Sequence, residues 1–322
     1  MRACRGCVPD GCVGASPLSV CAVVDTPAPT VTPIVTIDVE DWRPQIRPAD
    51  TERHARELEA GAVLVLPRLA FRFEPDEARF LNVRWSDGKA KNISFDGASI
   101  RGATGPAQDL AALARMIGRF AADATALVTA LLPRYAPWLA RARTSYRPHG
   151  AAGRALSWRK DDTRLHVDAF PSRPMCGQRI LRVFCNVNPF GQDRVWRVGE
   201  PFEAMARRLL PKLRPMIPGE AACLSALHVT RGRRSEYDHM MLGLHDCAKS
   251  DLDYQRNSPQ REVRFAPGTT WICYSDQVMH AAAAGQYMLE QTVQLPPDAL
   301  YEPRSSPLAI LERISGRPLL AA

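Results

Sequence analysis

Apolar and polar positions first organise into two short strand-like runs, Ile34 to Val39 and Ala62 to Pro67, the second closed by its proline. Between Pro106 and Pro133 the period changes. Leu110, Leu113, Ala114, Ile117, Phe120, Ala121, Ala124, Leu127, Val128 and Leu131 recur at helical spacing, while Asp109, Arg115, Arg119 and Asp123 take the other side. This pattern predicts one amphipathic helix ended by Pro133. Its polar face mixes both signs of charge, so the apolar stripe is expected to pack on a core rather than lie on a membrane. Past Pro148 come short β-like segments separated by Gly and Pro, at Arg164 to Phe170, Arg179 to Val187, Val263 to Phe265, Thr270 to Tyr274, Val278 to Ala283 and Leu289 to Leu295. A second helix at Pro201 to Leu213 interrupts them, opened by a proline and closed before Pro215. The expected architecture is α+β, with a sandwich or closed β-roll in the second half and no internal repeat.

Composition bounds the class. With 322 residues and 46% hydrophobic content, the chain can bury the core of one large domain. That domain is assigned to 32–322, with an N-terminal α/β portion at 32–150 and a β-rich portion at 151–322. Residues 1–31 differ in texture: they hold Cys4, Cys7, Cys12, Cys21 and the stretch Thr26-Pro27-Ala28-Pro29-Thr30, and read as a flexible tail. Cys4 and Cys7 form a CxxC pair, but neither a second pair nor a well-spaced His follows, which argues against a zinc site. Cys176, Cys185, Cys223, Cys247 and Cys273 stand singly in apolar or strand-like segments, as small buried hydrophobes of a reducing compartment do. The net charge of +8 favours an anionic partner. Arginines are spread through the chain without a dense basic tract interleaved with aromatics, so nucleic acid is not expected. With no 18-residue apolar run and no secretory pattern at the start, a cytoplasmic protein is expected.

The candidate chemistry lies in Arg164-Leu165-His166-Val167-Asp168-Ala169-Phe170. Strand alternation would send Leu165, Val167 and Ala169 to one face, and His166 and Asp168 to the other. An imidazole and a carboxylate on one side are two of the three ligands of a 2-His-1-carboxylate triad, which leaves positions open on Fe(II). A surface ion pair would show the same HxD pattern. For a third ligand the chain offers His228, His239, His245 and His280. His280 follows a turn, the strand Thr270 to Tyr274 and the polar turn Ser275-Asp276-Gln277, and opens a run of small residues through Gly285 that lets backbone and ligand approach closely. His245 adjoins Asp246 and His239 adjoins Asp238; neighbours on a strand face opposite ways, so neither pair could chelate jointly. In Arg179 to Asn188, Leu181, Val183, Cys185 and Val187 share one face, and Ile180, Arg182, Phe184, Asn186 and Asn188 share the other. Arg182 is thus expected on a buried face, where it needs an anion: a cosubstrate carboxylate or an internal acid.

Ser157 to Ser172, followed by Arg179 to Pro189, resembles the Kdo hydroxylases of Gram-negative bacteria, which convert the 3-deoxy-D-manno-octulosonic acid (Kdo) sugar of lipopolysaccharide to its 3-hydroxy form, Ko. The likeness continues through Trp196 to Phe202, Tyr237 to His245, Pro267 to Thr292 and Pro307 to Leu319, and upstream at Leu58 to Pro67 and Lys91 to Ser94. It implies a double-stranded β-helix (jelly-roll, cupin-like) core with flanking helices, in a single 2-oxoglutarate oxygenase domain. It also implies Fe(II) on His166, Asp168 and His280, with 2-oxoglutarate and O2 as cosubstrates and succinate and CO2 as co-products. The wider superfamily often places a basic 2-oxoglutarate anchor after the distal His, where this chain has Glu290, Gln291 and Thr292. Arg182 matches the anchor of the Jumonji-type and asparaginyl hydroxylase branches, with Thr163 and Asn186 as further cofactor candidates. Arg159, Lys160, Arg164 and Arg173 flank the site and are candidates for contacting the sugar carboxylate or lipid A phosphates, or form a solvated rim. A lipid-linked substrate would bring the protein to the anionic inner face of the inner membrane. Rival readings are a 2-oxoglutarate oxygenase of another small molecule and a non-catalytic β-roll that binds an acidic glycan.

Overall fold

The computed structural model describes residues 31–153 and 157–320. The tail expected at 1–31, with its CxxC pair, lies outside them except for Val31, which packs against the core. The strands are β1 (Ile34–Thr36), β2 (Val63–Leu66), β3 (Ile93–Phe95), β4 (Ile100–Arg101), β5 (Ala140–Arg147), β6 (Arg179–Asn186), β7 (Arg194–Gly199), β8 (Gln260–Phe265), β9 (Thr270–Tyr274), β10 (His280–Ala284) and β11 (Met288–Leu295). The helices are α1 (Pro48–Glu59), α2 (Ala107–Leu131), α3 (Phe202–Leu209), α4 (Glu220–Ala226), α5 (Glu236–Ser250), α6 (Leu252–Asn257) and α7 (Pro307–Ser315).

Two sheets face each other. The larger has the order β1-β2-β9-β6-β11-β5-β3-β4, antiparallel except for β1 beside β2, and the smaller has the order β10-β7-β8. Strands from both sides of residue 150 thus share one sheet. The alternation along β6 divides the layers: Leu181, Val183 and Cys185 join the core under α2, whereas Phe184 joins the core between the sheets. That inner core is aromatic. Phe265 stacks on Trp271 at 4.1 Å, and Phe184 and Trp196 pack around them. The α2 stripe is fully buried at Leu113, Ile117, Phe120, Ala124, Leu127 and Val128. On the far side of the small sheet, α3, α5 and α7 cover Leu165, Val167, Met279 and Ala281.

Two local expectations are corrected. Residues 164–170 form no strand; they are an extended segment whose single bridge joins His166 to His280, with backbone bonds of 3.0 and 2.9 Å. His239 and His245, weighed against their acidic neighbours as strand residues, lie instead on a helix, α5. Its start is a capping box in which the Ser235 hydroxyl accepts from the Asp238 N–H and Asp238 accepts from the Ser235 N–H.

Candidate active site

The bridge between His166 and His280 is the foundation of the site. Leu165 and Val167 point outward into the helix layer and are fully buried, which turns His166 and Asp168 toward the space between the sheets. Gln255 of α6 fixes this segment from behind: its Oε1 accepts from the Leu165 N–H at 2.8 Å, and its Nε2 donates to the carbonyls of Leu165 at 2.9 Å and Ala248 at 2.8 Å. The Asp168 N–H donates to the Ser275 carbonyl at 2.7 Å. In β10, Ala281 faces the outer helices while His280 and Ala282 face inward.

One ligand atom from each of His166, Asp168 and His280 lies within 4.8 Å of the others. Nδ1 of His166 is 2.7 Å from the Arg164 carbonyl, and Nδ1 of His280 is 2.8 Å from that of Val278. These contacts place the imidazole proton on Nδ1 and leave each Nε2 lone pair for a cation, as metal-binding histidines require. Burial holds both imidazoles below their ordinary pKa, with the second imidazole and Lys249 adding to the effect at His166. At Asp168 burial works upward, but the Arg182 guanidinium outweighs it and holds the carboxyl well below the usual range. Two neutral imidazoles and one carboxylate are the donor set that Fe(II) oxygenases use. Trp196 stacks on His280 at 5.0 Å, and His245 of α5 meets His166 edge-on at 5.4 Å.

The triad lies on the wall of a cleft of about 850 Å³. Behind it runs a charged network. Arg182 reaches Glu290 at 2.8 Å and Asp168 at 2.9 Å; Arg147 reaches Glu290 at 2.5 Å and Asp162 at 3.1 Å. Asp162 also receives Lys91 at 2.5 Å, with Lys249 at 3.8 Å. Burial would raise the Asp162 pKa, but Arg147 and Lys91 outweigh it. Arg194 is different. It is buried, donates to the Gly285 carbonyl at 2.9 Å and, among the described residues, has no carboxylate within salt-bridge reach. Burial, with Arg147 adding repulsion, pushes it down to about 9. The Nε–H groups of Arg147, Arg182 and Arg194 and the Trp196 indole N–H are buried without an acceptor, and all four residues line the cleft. Such a set of orphaned donors fits a bound anion.

A model of the 3-deoxy-D-manno-oct-2-ulosonic acid (Kdo) hydroxylase family matches residues 41–318. The chain belongs to that family. Solved structures of the Kdo hydroxylase KdoO, a non-heme Fe(II) alphaketoglutarate dependent dioxygenase, are similar to it. The complex with alphaketoglutarate and Fe(III) gives a TM-score of 0.86 at 45% identity, covering 90% of this chain and 98% of that one. The cobalt(II) complex gives 0.88 at 46%, with the same coverage. The complex with succinate and Fe(III) gives 0.87 at 45%, again covering 90% and 98%. Among curated proteins no match is found. The two-sheet roll is therefore the double-stranded β-helix core of the Kdo hydroxylases, carrying the α1–β5 extension and flanking helices.

Within this Kdo hydroxylase, the remaining sequence candidates divide. Arg159, Lys160 and Arg173 line the cleft. Arg159 bonds Asp246 at 3.0 Å and lies over Trp158. Arg164 does not line it; it donates to the Lys249 carbonyl at 2.8 Å. The Thr163 hydroxyl donates to Asp161 at 2.6 Å, and Asn186 donates to the carbonyls of Gln192 and Phe265 at 3.0 and 2.9 Å, so both organise turns away from the cleft lining. Sequence reasoning did not single out Arg147, Asp162, Arg194, Trp196 or Lys249, and it noted Glu290 only as a missing cation. The alternation of Arg194 with Trp196 along β7 was the one local signal for any of them.

Proposed function

We infer that this protein hydroxylates the Kdo sugar of lipopolysaccharide to Ko, consuming 2-oxoglutarate and O2 and releasing succinate and CO2, with residues 32–322 acting as one oxygenase domain. The observation that carries the site assignment is the pair of inward-facing Nε2 atoms beside Asp168, each imidazole fixed through Nδ1 to a backbone carbonyl. His166, Asp168 and His280 would hold Fe(II). When bound, iron with 2-oxoglutarate and O2 supplies the oxidising chemistry that turns a C–H bond into C–OH.

The protein's own residues bind, orient and exclude. Arg182 and Arg194 face the cosubstrate side, and their unpartnered Nε–H groups suit the far carboxylate of 2-oxoglutarate. Glu290, whose carboxylate is shared between Arg147 and Arg182, sets the position of Arg182. Trp196 and the aromatic core behind it keep water out of the inner end of the cleft. Arg143, Arg159, Lys160, Arg173 and Arg231 ring the outer part, where the carboxylate of Kdo and phosphates of its lipid carrier would find cations. No helix among the described residues is long and apolar enough to cross a membrane, so contact with a lipid-linked substrate would be peripheral, on the inner face of the inner membrane.

His280→Ala tests the reading. The expected result is loss of iron binding and of succinate formation, together with absence of Ko from product sugars by mass spectrometry. Retention of iron and turnover would overturn the triad. Succinate release with unmodified Kdo, across a panel of acceptors, would overturn the substrate alone.

A further inference from the structure

Among the described residues, large exposed apolar side chains are few and mostly scattered, at Val83, Trp138, Phe190 and Leu252, but three occur within one segment: Ile217 (61% exposed), Leu227 (68%) and Val229 (53%). That segment is an ordered loop. Gly219 to Leu227 carries α4, the Val229 N–H donates to the Leu224 carbonyl at 3.0 Å, and His228 adopts a left-handed φ of 54° that sets Leu227 and Val229 on either side of it. Thr230, buried at 3%, donates to the Gly232 carbonyl and closes the turn.

The loop is tied directly to the cleft. The Arg231 N–H donates to the Ser172 carbonyl at 2.9 Å, and the Arg234 guanidinium donates to the Pro171 carbonyl at 2.6 Å. Phe170 to Arg173 and Arg231 are themselves cleft-lining residues. Arg214, just before the loop, pairs with Glu220, whereas the exposed Arg173, Arg231 and Arg233 have no carboxylate within salt-bridge reach among the described residues. The uncompensated arginines would repel a second copy of the same surface, and together with the apolar tips they match a layer that presents phosphates over hydrocarbon.

We propose that Ile217 to Arg233 is a docking edge that seats the mouth of the cleft on an anionic lipid surface. Ile217, Leu227 and Val229 enter the acyl boundary, and Arg173, Arg231 and Arg233 meet lipid phosphates. The proposal rests on the reading that the Kdo acceptor is lipid-linked, and it names the surface that meets the membrane.

Co-sedimentation of the full chain with vesicles tests it, comparing phosphatidylglycerol mixed into phosphatidylcholine with phosphatidylcholine alone. The wild type binds the anionic vesicles more tightly. Leu227→Ser/Val229→Ser weakens that binding roughly tenfold by removing buried apolar groups. Arg233→Gln weakens it about fivefold on anionic vesicles and leaves neutral ones unaffected. The double serine variant hydroxylates a lipid-free Kdo disaccharide at the wild-type rate, which also shows that it is folded. Equal wild-type binding to both vesicle types, or unchanged binding of the double variant, overturns the docking edge. So does a double variant that dissolves a dimer in gel filtration while still binding vesicles. Vesicle binding without any Kdo hydroxylation supports the edge and removes the substrate reading alone.

Discussion

Arg194 and Arg147 show how two buried guanidiniums in one network carry opposite consequences. Arg194 has a backbone carbonyl as its acceptor and no carboxylate in reach, so the folded protein bears most of the cost of desolvating that charge. Arg194→Gln is therefore expected to leave the thermal midpoint unchanged or higher. At the same time it should raise the KM for 2-oxoglutarate by about tenfold or more, the value of a lost charge-assisted hydrogen bond. Arg147 instead holds Glu290 and Asp162, both compensated by it. Arg147→Gln strands part of that negative charge and should cost about 3 kcal/mol in denaturant unfolding. If the two variants lost stability equally, the distinction drawn from their partners would be wrong.

The elements that hold the triad were legible in unequal measure. β6, β9 and β11 follow simple alternation, so Arg182 could be assigned to an inner face, and α2 announces itself by its stripe and flanking prolines. The HxD segment was assigned its facing correctly but for an incomplete reason. Its extended shape comes from a side chain on α6 and a bridge to β10, both far away in sequence, rather than from a ladder of its own. α5 has a readable start in Ser235 and Asp238, but its mixed polarity hides the helical period. The network of Arg147, Arg182, Glu290 and Asp162 joins separate strands and the turn at Asp162, and no spacing rule links them. Gln255 makes the dependence of the triad on α6 measurable. Gln255→Ala would leave the Leu165 N–H and two carbonyls without partners in a buried place, at about 1–3 kcal/mol for each group left unpaired. Because His166 follows Leu165, the variant should also bind iron more weakly in a metal titration. An unchanged metal affinity with the stability loss intact would mean that the His280 bridge alone sets His166.

At the scale of the molecule, the large sheet lies between the α2 layer and the candidate metal centre. Phe120 on α2 packs edge-on against Trp42 and Phe71, on the face of that sheet opposite the cleft. Phe120→Ala should cost about 3–5 kcal/mol through the cavity it leaves. The triad joins β10, the extended HxD segment and, through Arg182, β6, so a bound cation stabilises only the assembled state. Cobalt(II) at a hundredfold excess over its Kd should therefore add about 2.7 kcal/mol to the unfolding free energy, and His280→Ala should lose that increment. In Phe120→Ala the increment should persist within about 0.5 kcal/mol, since the two sites share no side chain and independent contributions add. A Phe120→Ala protein that no longer gained stability from the metal would show that packing under α2 positions the ligands across the sheet, and the outer layer would then belong to the site rather than merely support it.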